Sequence, residues 1–536
     1  MRKALSIVLA GMLLNPAIVG AAPNPGNRAK PSTSTPIQHV VVIFQENISF
    51  DHYFATYPVA ANPSGEPQFH AAPGTPSING LTGNLLTNNP NLFNTNNGAG
   101  ATNPFRLDRS QNLTADQDHD YTPEQQAFDA GLMDLFPFSV GTAGPPPNAP
   151  PQQVLTTGLV MGYYDGNTTT ALWNLAQNFA MSDNSFSTNF GPSTVGAINL
   201  ISGQTNGVTQ TLNGTGEETD GGAGSLTVIG DPNPIGDVCS SPTSNQVQMA
   251  GPNIGNLLSA QNISWGWFEG GFNLNTVNPN GTTGCNRSHT STLTGVTESD
   301  YIPHHQPFQY YASTSNPNHT RPTSISLIGQ NGDAANHQYD IDDFIAAVSA
   351  GNFPQVSFLK AIGIQDGHAG YSSPLDEQQY IVQLLNFLQQ QPEWGSTLVV
   401  IAYDDSDGWY DHQIGPITNQ SNGAADALTG PGACGNGNFA LPGVASNNPH
   451  AIGRCGYGPR QPLLVVSPFA RQNFVDHTVT DQTSIIRFIE DNWLGGQRLG
   501  EGSFDALANP INNMLNFRNA ARDVKVILDE NTGDVK

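Results

Sequence analysis

Charged residues are scarce in this chain of 536 residues. Only 11% of them are Asp, Glu, Lys or Arg, and 43 acids against 18 Lys and Arg give a formal net charge of −25. A chain with so few basic residues is poorly suited to bind a nucleic-acid backbone or an anionic lipid surface through bulk electrostatics. We therefore expect no nucleic-acid partner, and a phosphate ester would have to be attracted by the site itself.

Two common motif types are also missing. No cysteine pair has C-x-x-C spacing, which argues against a zinc cluster, and no G-x-S-x-G segment supports a lipase-type triad. The four cysteines are an even number, which in an exported chain predicts two disulfides, most simply Cys239–Cys285 and Cys434–Cys455. Four cysteines allow three connectivities, and spacing does not choose among them.

The N-terminus has the pattern of an export signal. Two basic residues precede an apolar segment that ends at Leu14, and small residues suited to cleavage follow near position 20. Residues 1–22 are therefore predicted to be a signal peptide, and residues 23–36 a Pro/Ser/Thr tether. No later segment reaches about 18 consecutive apolar residues, so no stable membrane insertion is expected. The predicted location is secreted or periplasmic, and the oligomeric state is left open.

Apolar runs typical of buried strands alternate with segments that have helical spacing. This alternation predicts an α/β fold, a three-layer sandwich with a mostly parallel central sheet. Residues 37–536 are predicted to form one domain, with long loop insertions near 60–105 and 206–300, the second interrupted by a strand-like run at 265–268. The predicted strands are 37–44, 355–359, 397–403 and 462–466, and the predicted helices are 170–181, 193–202, 376–390 and 481–494.

Two predicted strands end in side chains with oxygen donors. One leads directly into Asp404 and Asp405, and another leads through a glutamine into Glu46 and Asn47. In α/β sheets, ligands bind beyond the carboxyl ends of the strands, and adjacent carboxylates repel each other unless a cation holds them. This pattern predicts a site for a hard divalent metal. The alternative for the two aspartates is a helix cap or a solvated loop.

A serine lies where a turn leads into a helix. The segment Gly191–Gly196 is followed by apolar residues, which places Ser193 at or near the first helical position. An isolated serine there is usually a helix cap. The functional interpretation is a nucleophile that benefits from the helix N-terminal amides and from a nearby metal.

Three of the thirteen histidines have contexts that suit catalysis. His119 lies between aspartates, which would raise its pKa and keep it protonated. His305 follows His304 in a tandem pair, and His368 lies in a turn after a predicted strand. Imidazolium groups can contact phosphate oxygens or protonate a leaving group, although an arbitrary histidine is more often structural or exposed.

Several of these segments, in this order, resemble a known family. The run Gln45–Phe54, QENISFDHYF, is similar to the Q-E-N-R-S-F-D-H-Y-F signature of bacterial phosphoesterases, which comprise secreted acid phosphatases and non-zinc phospholipases C on an alkaline-phosphatase-like fold. Ile48 departs from the arginine that is usual there. Further matches to the family are Ser182–Asn184, Gly191–Ser193, His304–Phe308, Asp366–His368, Tyr403–His412 and Ser467–Phe469. The later of these segments are more similar to the acid phosphatase branch.

The resemblance implies roles for these residues. It places one divalent ion, with Mg²⁺, Ca²⁺, Mn²⁺ and Fe²⁺ as candidates, among four ligands: Glu46, Asn47, Asp404 and Asp405. It makes Ser193 the nucleophile that forms a phosphoserine. The predicted catalytic histidines are His119, His305 and His368, and the predicted substrate contacts are Asn47, His304 and Asp405.

The predicted function is a secreted, metal-dependent acid phosphatase that cleaves small phosphomonoesters through a phosphoserine. The first alternative is a phospholipase C for phosphatidylcholine-type diesters, for which Tyr163, Tyr164 and Trp409 could hold choline by cation–π contact. A remote alternative is a secreted binding protein without activity. Parallel assays on a monoester and a phospholipid would separate the first two.

Overall fold

Apolar, β-branched runs of five to seven residues form the centre of the molecule, because such residues pack well on a pleated surface buried on both faces. The computed structural model describes residues 32–145, 151–214, 216–222, 224–435 and 452–536. The predicted signal peptide, 1–22, and most of the predicted tether lie outside the described residues. Thr33–Lys536 form one compact unit.

Short strands are distributed over four sheets. Those of the described residues are β1 (His39–Gln45), β2 (Phe105–Arg106), β3 (Gly162–Tyr163), β4 (Ala180–Phe186), β5 (Asn206–Leu212), β6 (Glu218–Gly222), β7 (Ser225–Val228), β8 (Asn233–Pro234), β9 (Gln246–Met249), β10 (Trp265–Glu269), β11 (Ser288–Thr290), β12 (Thr297–Ser299), β13 (Gln338–Asp340), β14 (Val356–Lys360), β15 (Thr397–Tyr403), β16 (Arg460–Val466), β17 (Phe474–Asp476) and β18 (Thr480–Asp481).

The central sheet has nine strands in the order β13-β10-β14-β1-β15-β16-β4-β17, with β18 also paired to β4. The register places Val42 of β1 beside Phe358 of β14 and Val400 of β15. All pairs are parallel except those of β16, which runs antiparallel to both β15 and β4. The prediction of a mostly parallel sheet in an α/β fold is confirmed.

Helices cover the sheet in two packed groups. Helix α6 (Thr170–Asn178) packs against α10 (Pro374–Leu388), and α7 (Ser193–Ser202) packs against both α8 (Ile254–Ala260) and α11 (Thr483–Trp493). With β1, β14, β15 and β16 buried along their whole length, the result is a three-layer sandwich. The α-helices of the described residues are α1 (Phe50–Phe54), α2 (Asn84–Thr87), α3 (Pro90–Phe93), α4 (Tyr121–Phe128), α5 (Phe136–Ser139), α6 (Thr170–Asn178), α7 (Ser193–Ser202), α8 (Ile254–Ala260), α9 (Ile341–Ser349), α10 (Pro374–Leu388) and α11 (Thr483–Trp493).

Two segments differ from the prediction. The predicted helix 170–181 ends at Asn178, because Ala180 and Met181 already pair with Val465 and Leu464 in the sheet. An apolar period over a few residues does not distinguish a helix end from a buried strand. The predicted loop insertion 206–300 contains regular structure: strands β5–β9 form a separate five-stranded sheet, and β10 belongs to the central sheet.

Two disulfides close loops in the Gly- and Asn-rich segments. They join Cys239 to Cys285 and Cys434 to Cys455, which confirms the simplest predicted pairing. The backbone next to Cys455 supports the loop before α7, since the Phe190 amide donates to the Cys455 carbonyl at 2.9 Å. Across the described part of the chain, no helix combines the length and apolar character needed to span a bilayer.

Candidate functional site

The carboxyl ends of β1, β14 and β15 meet at one edge of the central sheet. Gln45 pairs with Tyr403 in the parallel register, so the residues that follow, Glu46 and Asp404, leave the sheet side by side. Ser193, the first residue of α7, reaches the same edge from the loop after β4. The topology thus assembles the site from segments far apart in sequence, as is usual for an open α/β sheet.

Backbone contacts lock the two strand ends together. Asn47 has a φ of 64°, a left-handed conformation that asparagine tolerates better than most residues. In this conformation its amide donates to Asp404 Oδ1 at 2.9 Å, and the next amide, of Ile48, donates to the Asp405 carbonyl at 3.0 Å. Both aspartates are therefore held by the polypeptide itself.

Ser193 faces this group of acids. Its hydroxyl donates to Glu46 Oε2 at 2.7 Å, and its Oγ also lies 3.1 Å from Asp405 Oδ2 and 3.5 Å from Asn47 Oδ1. The side chain is buried, and it makes no capping contact with its own helix. These contacts differ from those of a helix-capping serine, because the hydroxyl donates to carboxylates and the N-cap position of α7 is Pro192.

The close approach of α7 depends on Gly196. A Cβ at this position would lie 2.1 Å from the carbonyl oxygen of Asp404. Gly196→Ala is expected to displace α7 or the Asp404 loop, with a loss of about 1–3 kcal/mol in the free energy of unfolding. Because Ser193 lies one turn away, we expect any hydrolytic activity that depends on it to fall about 100-fold.

The matched control is Gly395→Ala, where the added Cβ meets nothing within 4 Å. Chemical denaturation and steady-state kinetics measure both variants. The control should stay within about 0.5 kcal/mol of the wild-type chain, as exposed substitutions usually do. Wild-type activity in Gly196→Ala would contradict the close packing of α7 on Asp404.

Glu46, Asp404 and Asp405 form a candidate metal centre. One oxygen from each lies within 4.8 Å of the others, and all three residues are buried. Burial and the neighbouring Asp404 carboxylate raise the pKa of Asp405 well above its usual value. Asp404 Oδ2 is buried and has no hydrogen-bond partner in the described part of the protein. A divalent cation fits this donor set of carboxylate oxygens with the Asn47 amide oxygen nearby.

His119 lies on the far side of Asn47 from the serine. Its Nε2 is 3.5 Å from Asn47 Nδ2, and its Nδ1 donates to the Gln117 carbonyl at 2.9 Å. Burial alone would lower the pKa of His119, but the carboxylates of Asp405 and Asp407 outweigh it and hold the pKa well above its usual value. The structure therefore favours the protonated ring that the sequence predicted.

The other predicted histidines surround the same group. His305 Nδ1 lies 3.4 Å from Glu46 Oε1, and burial lowers the pKa of its ring well below its usual value. His368 packs edge-on against His119 with ring centroids 5.9 Å apart, and burial lowers its pKa as well. His304 is half-buried behind His305, against which its ring packs at 4.5 Å. His119, His305 and His368 thus line the site, and His304 lies one position outward.

Sequence reasoning missed several polar residues of the site. Lys360 ends β14 and contacts Glu46, but a single lysine after an apolar run gives little signal. Asp407 accepts from Asn47 Nδ2 at 2.9 Å, and Asp231 accepts from the Thr194 amide at 2.8 Å. Asp407 belongs to the acid-rich segment after β15 and could have been found there. Asp231 lies in a loop segment with no pattern to mark it.

Glu124 is a further unpredicted residue beneath the site. Its carboxylate accepts from the Gly191 amide at 3.0 Å and from the Ser406 hydroxyl at 2.6 Å. It therefore connects the loop before Ser193 to the loop that follows Asp404 and Asp405. Burial raises the pKa of Glu124 to about 7.

The aromatic residues proposed to hold choline are placed unfavourably for that role. Trp409 is 1% exposed and stacks on His52 at 3.9 Å, and Tyr164 is also 1% exposed, with its hydroxyl bonded to the Gln111 carbonyl at 2.7 Å. Tyr163 is half-buried in a short two-stranded sheet. Of the three, only Tyr163 has an accessible part of its ring.

Comparison with known proteins gives a family match over most of the chain. A model described as the phosphoesterase family matches residues 37–494. Among curated proteins, a non-hemolytic phospholipase C of Pseudomonas aeruginosa is 30% identical over 164 residues, which are 29% of this chain and 22% of that protein. Phospholipase C A of Mycobacterium tuberculosis is 24% identical over 479 residues, 88% of this chain and 74% of that protein. These matches support a phosphoric ester hydrolase.

The shorter matches leave most of those relatives uncovered. The chain spans 22% of the Pseudomonas protein and 19% of a non-hemolytic phospholipase C of Burkholderia pseudomallei. Among solved structures, a protein in the alkaline phosphatase superfamily from Vibrio parahaemolyticus matches with 10% identity, a TM-score of 0.29, and coverage of 64% of this chain and 65% of that one. Murine ectonucleotide pyrophosphatase/phosphodiesterase 5 gives 11% identity, a TM-score of 0.31, and coverage of 65% and 95%. TM-scores this low carry no argument about function.

Proposed function

This chain belongs to the phosphoesterase family, and from that premise we propose that it hydrolyses phosphoric esters with Ser193 as the nucleophile. The observation that carries the proposal is the position of the Ser193 hydroxyl, which donates to Glu46 at 2.7 Å and lies 3.1 Å from Asp405 at the edge of the sheet. A serine at the start of a helix, facing a group of metal-binding carboxylates, is suited to attack phosphorus.

The chain's own residues supply a complete route. Ser193 Oγ attacks phosphorus and passes its proton towards Glu46, to which it already donates. A divalent ion held by Glu46, Asn47, Asp404 and Asp405 would lower the pKa of the serine hydroxyl and offset the phosphate charge. His119 gives its proton to the leaving oxygen, and the bond from phosphorus to that oxygen breaks. His119 then takes a proton from a water molecule as that water attacks the phosphorus of the phosphoserine. The bond from phosphorus to Ser193 Oγ breaks, Glu46 returns its proton to that oxygen, and phosphate is released.

Two substrate classes fit this chemistry. The motifs of the later part of the chain favour small phosphomonoesters and acid phosphatase activity, as predicted from the sequence. The burial of Trp409 and Tyr164 supports this choice, because their rings are not available to a choline group. The second candidate is phospholipase C activity on phosphodiesters, which the phospholipases C among the relatives favour.

A pair of assays separates these candidates. We expect release of p-nitrophenol from p-nitrophenyl phosphate between pH 4 and 8, with the maximum below pH 7, when Mg²⁺, Ca²⁺, Mn²⁺ or Fe²⁺ is supplied. Phosphatidylcholine vesicles should give little phosphocholine under the same conditions. Ser193→Ala, assayed in parallel, corrects for contaminating phosphatases. Rapid release of phosphocholine with a slow monoester reaction would establish the phospholipase C alternative.

We also propose that the protein acts outside the cytoplasm. Its two disulfides, Cys239–Cys285 and Cys434–Cys455, require an oxidising compartment to form and persist. The predicted signal peptide gives a route to that compartment. Mass spectrometry of the exported protein should find an N-terminus near residue 23.

A further inference from the structure

A lysine is buried inside the cluster of acids. Lys360 is the last residue of β14, its side chain is 1% exposed, and its Nζ contacts Glu46 Oε1. The same ammonium lies 5.7 Å from the centre of the ring of Phe44, a residue of the neighbouring strand β1. The chain has five lysines, and the others lie at positions 3, 30, 525 and 536 near its ends. A buried lysine in the middle of the sheet edge is therefore exceptional in this protein.

Burial of an ammonium group is unfavourable unless negative charge compensates it. Here the compensation comes from the proposed metal ligands. Glu46 contacts Lys360 directly, and the carboxylates of Asp404 and Asp405 attract its ammonium group electrostatically. Asp366 is a further acid near the ammonium. In turn, the ammonium holds together carboxylates that would otherwise repel one another.

The contact also orients Glu46. One oxygen of this carboxylate, Oε1, faces Lys360, and the other, Oε2, accepts from the Ser193 hydroxyl at 2.7 Å. His305 Nδ1 lies 3.4 Å from the same oxygen that Lys360 contacts. Glu46 is thus fixed between a lysine on one side and the nucleophile on the other.

We propose that Lys360 is a positioning residue, a built-in cation that assembles the carboxylate site and weakens its affinity for a divalent metal. The proposal rests on the proposed function only in taking Glu46, Asp404 and Asp405 as metal ligands. Lys360 would repel a cation bound to Glu46, because like charges interact strongly in a buried site. The site therefore binds metal less tightly than its carboxylates alone would allow.

Replacement of the charge tests this arrangement. Lys360→Met keeps an unbranched apolar side chain and removes the ammonium, and Lys360→Arg keeps the charge. After removal of metal by chelation and dialysis, each protein is titrated with Mn²⁺, and free Mn²⁺ is followed by electron paramagnetic resonance. We expect the Kd of Lys360→Met for Mn²⁺ to be lower than the wild-type value by about tenfold or more. The Kd of Lys360→Arg should stay within about threefold of wild type.

Thermal unfolding gives a second readout. Without metal, Lys360→Met should melt below the wild-type chain, because its carboxylates have lost their cation, and saturating Mn²⁺ should remove most of that difference. The control is Lys525→Met, since Lys525 is exposed and remote from the acids in sequence, and it should leave both the Kd and the Tm unchanged. Lys360→Gln serves as a second uncharged variant should the methionine variant not fold.

The sign of the change in Kd decides the question. A merely structural lysine predicts weaker Mn²⁺ binding on replacement, because a disturbed site loses ligand geometry. Weaker or unchanged binding in the uncharged variants, or no Mn²⁺ binding by the wild-type chain, would overturn the proposal. Binding is measured without substrate, so a failure of ester hydrolysis would refute the proposed function and leave this inference standing.

Discussion

Ser193→Ala is expected to lower kcat for p-nitrophenyl phosphate by about 10⁴-fold or more, because the covalent route loses its nucleophile. The hydroxyl contacts Glu46, Asp405 and Asn47 of the site, and the N-cap position of its helix is Pro192, so its removal should leave the fold intact. Steady-state kinetics measures the loss. Acid quenching followed by mass spectrometry should detect phosphate on the peptide that contains Ser193 in the wild-type chain and not in the variant.

The control for this substitution lies on the same helix. Ser202 ends α7, and its hydroxyl donates to the Ile198 carbonyl at 2.9 Å, away from the acids. Ser202→Ala should change kcat less than about threefold, since its buried hydroxyl bonds to local backbone groups and its loss affects stability and not chemistry. Turnover in Ser193→Ala equal to that of the wild-type chain would show that another group attacks phosphorus.

The sequence predicts the parts of the site that follow strong local patterns. Asp404 comes directly after an apolar run, and Glu46 follows another such run after one glutamine. The predicted strand ends, at 44 and 403, agree with the observed ends, Gln45 and Tyr403, to within one residue. Parallel strands then bring their carboxyl ends to one edge, so the meeting of these two acids follows from topology alone. The Gly-Pro turn before Ser193 predicts a helix start at this residue, and α7 begins there.

Contacts between remote segments could not be predicted in the same way. Glu124 joins Gly191 to Ser406, and Asp231 caps the Thr194 amide, but no local pattern relates these positions. Strand direction could not be predicted either. Strand β16 is an apolar run like β15, yet it pairs antiparallel with both β15 and β4. These features depend on tertiary packing, which hydrophobic periodicity and composition do not predict.

Replacement of Asp404 by Asn is the second change from which we expect a large effect. Asp404 Oδ1 accepts from the Asn47 amide at 2.9 Å and from the Asp405 amide at 2.7 Å, while Oδ2 is buried and unpartnered among the described residues. Asparagine keeps an oxygen for the two amides and places a neutral NH₂ group where Oδ2 was. The backbone of the loop should therefore survive, and the charge that attracts a cation is lost.

Loss of a residue that hydrogen-bonds to a metal ligand weakens metal binding by roughly 10–100-fold. We expect Asp404→Asn to weaken Mn²⁺ binding by more than this, because it changes a ligand itself. Activity should fall at low Mn²⁺ and recover in part as Mn²⁺ is raised, because mass action compensates for a weakened site and not for a missing nucleophile. The matched control is Asp476→Asn at the end of β17, a buried aspartate whose Oδ1 also accepts from a backbone amide. It should leave the dependence of activity on Mn²⁺ unchanged. An Asp404→Asn variant with the same dependence as the wild-type chain would exclude Asp404 as a ligand and would leave its orphaned oxygen unexplained.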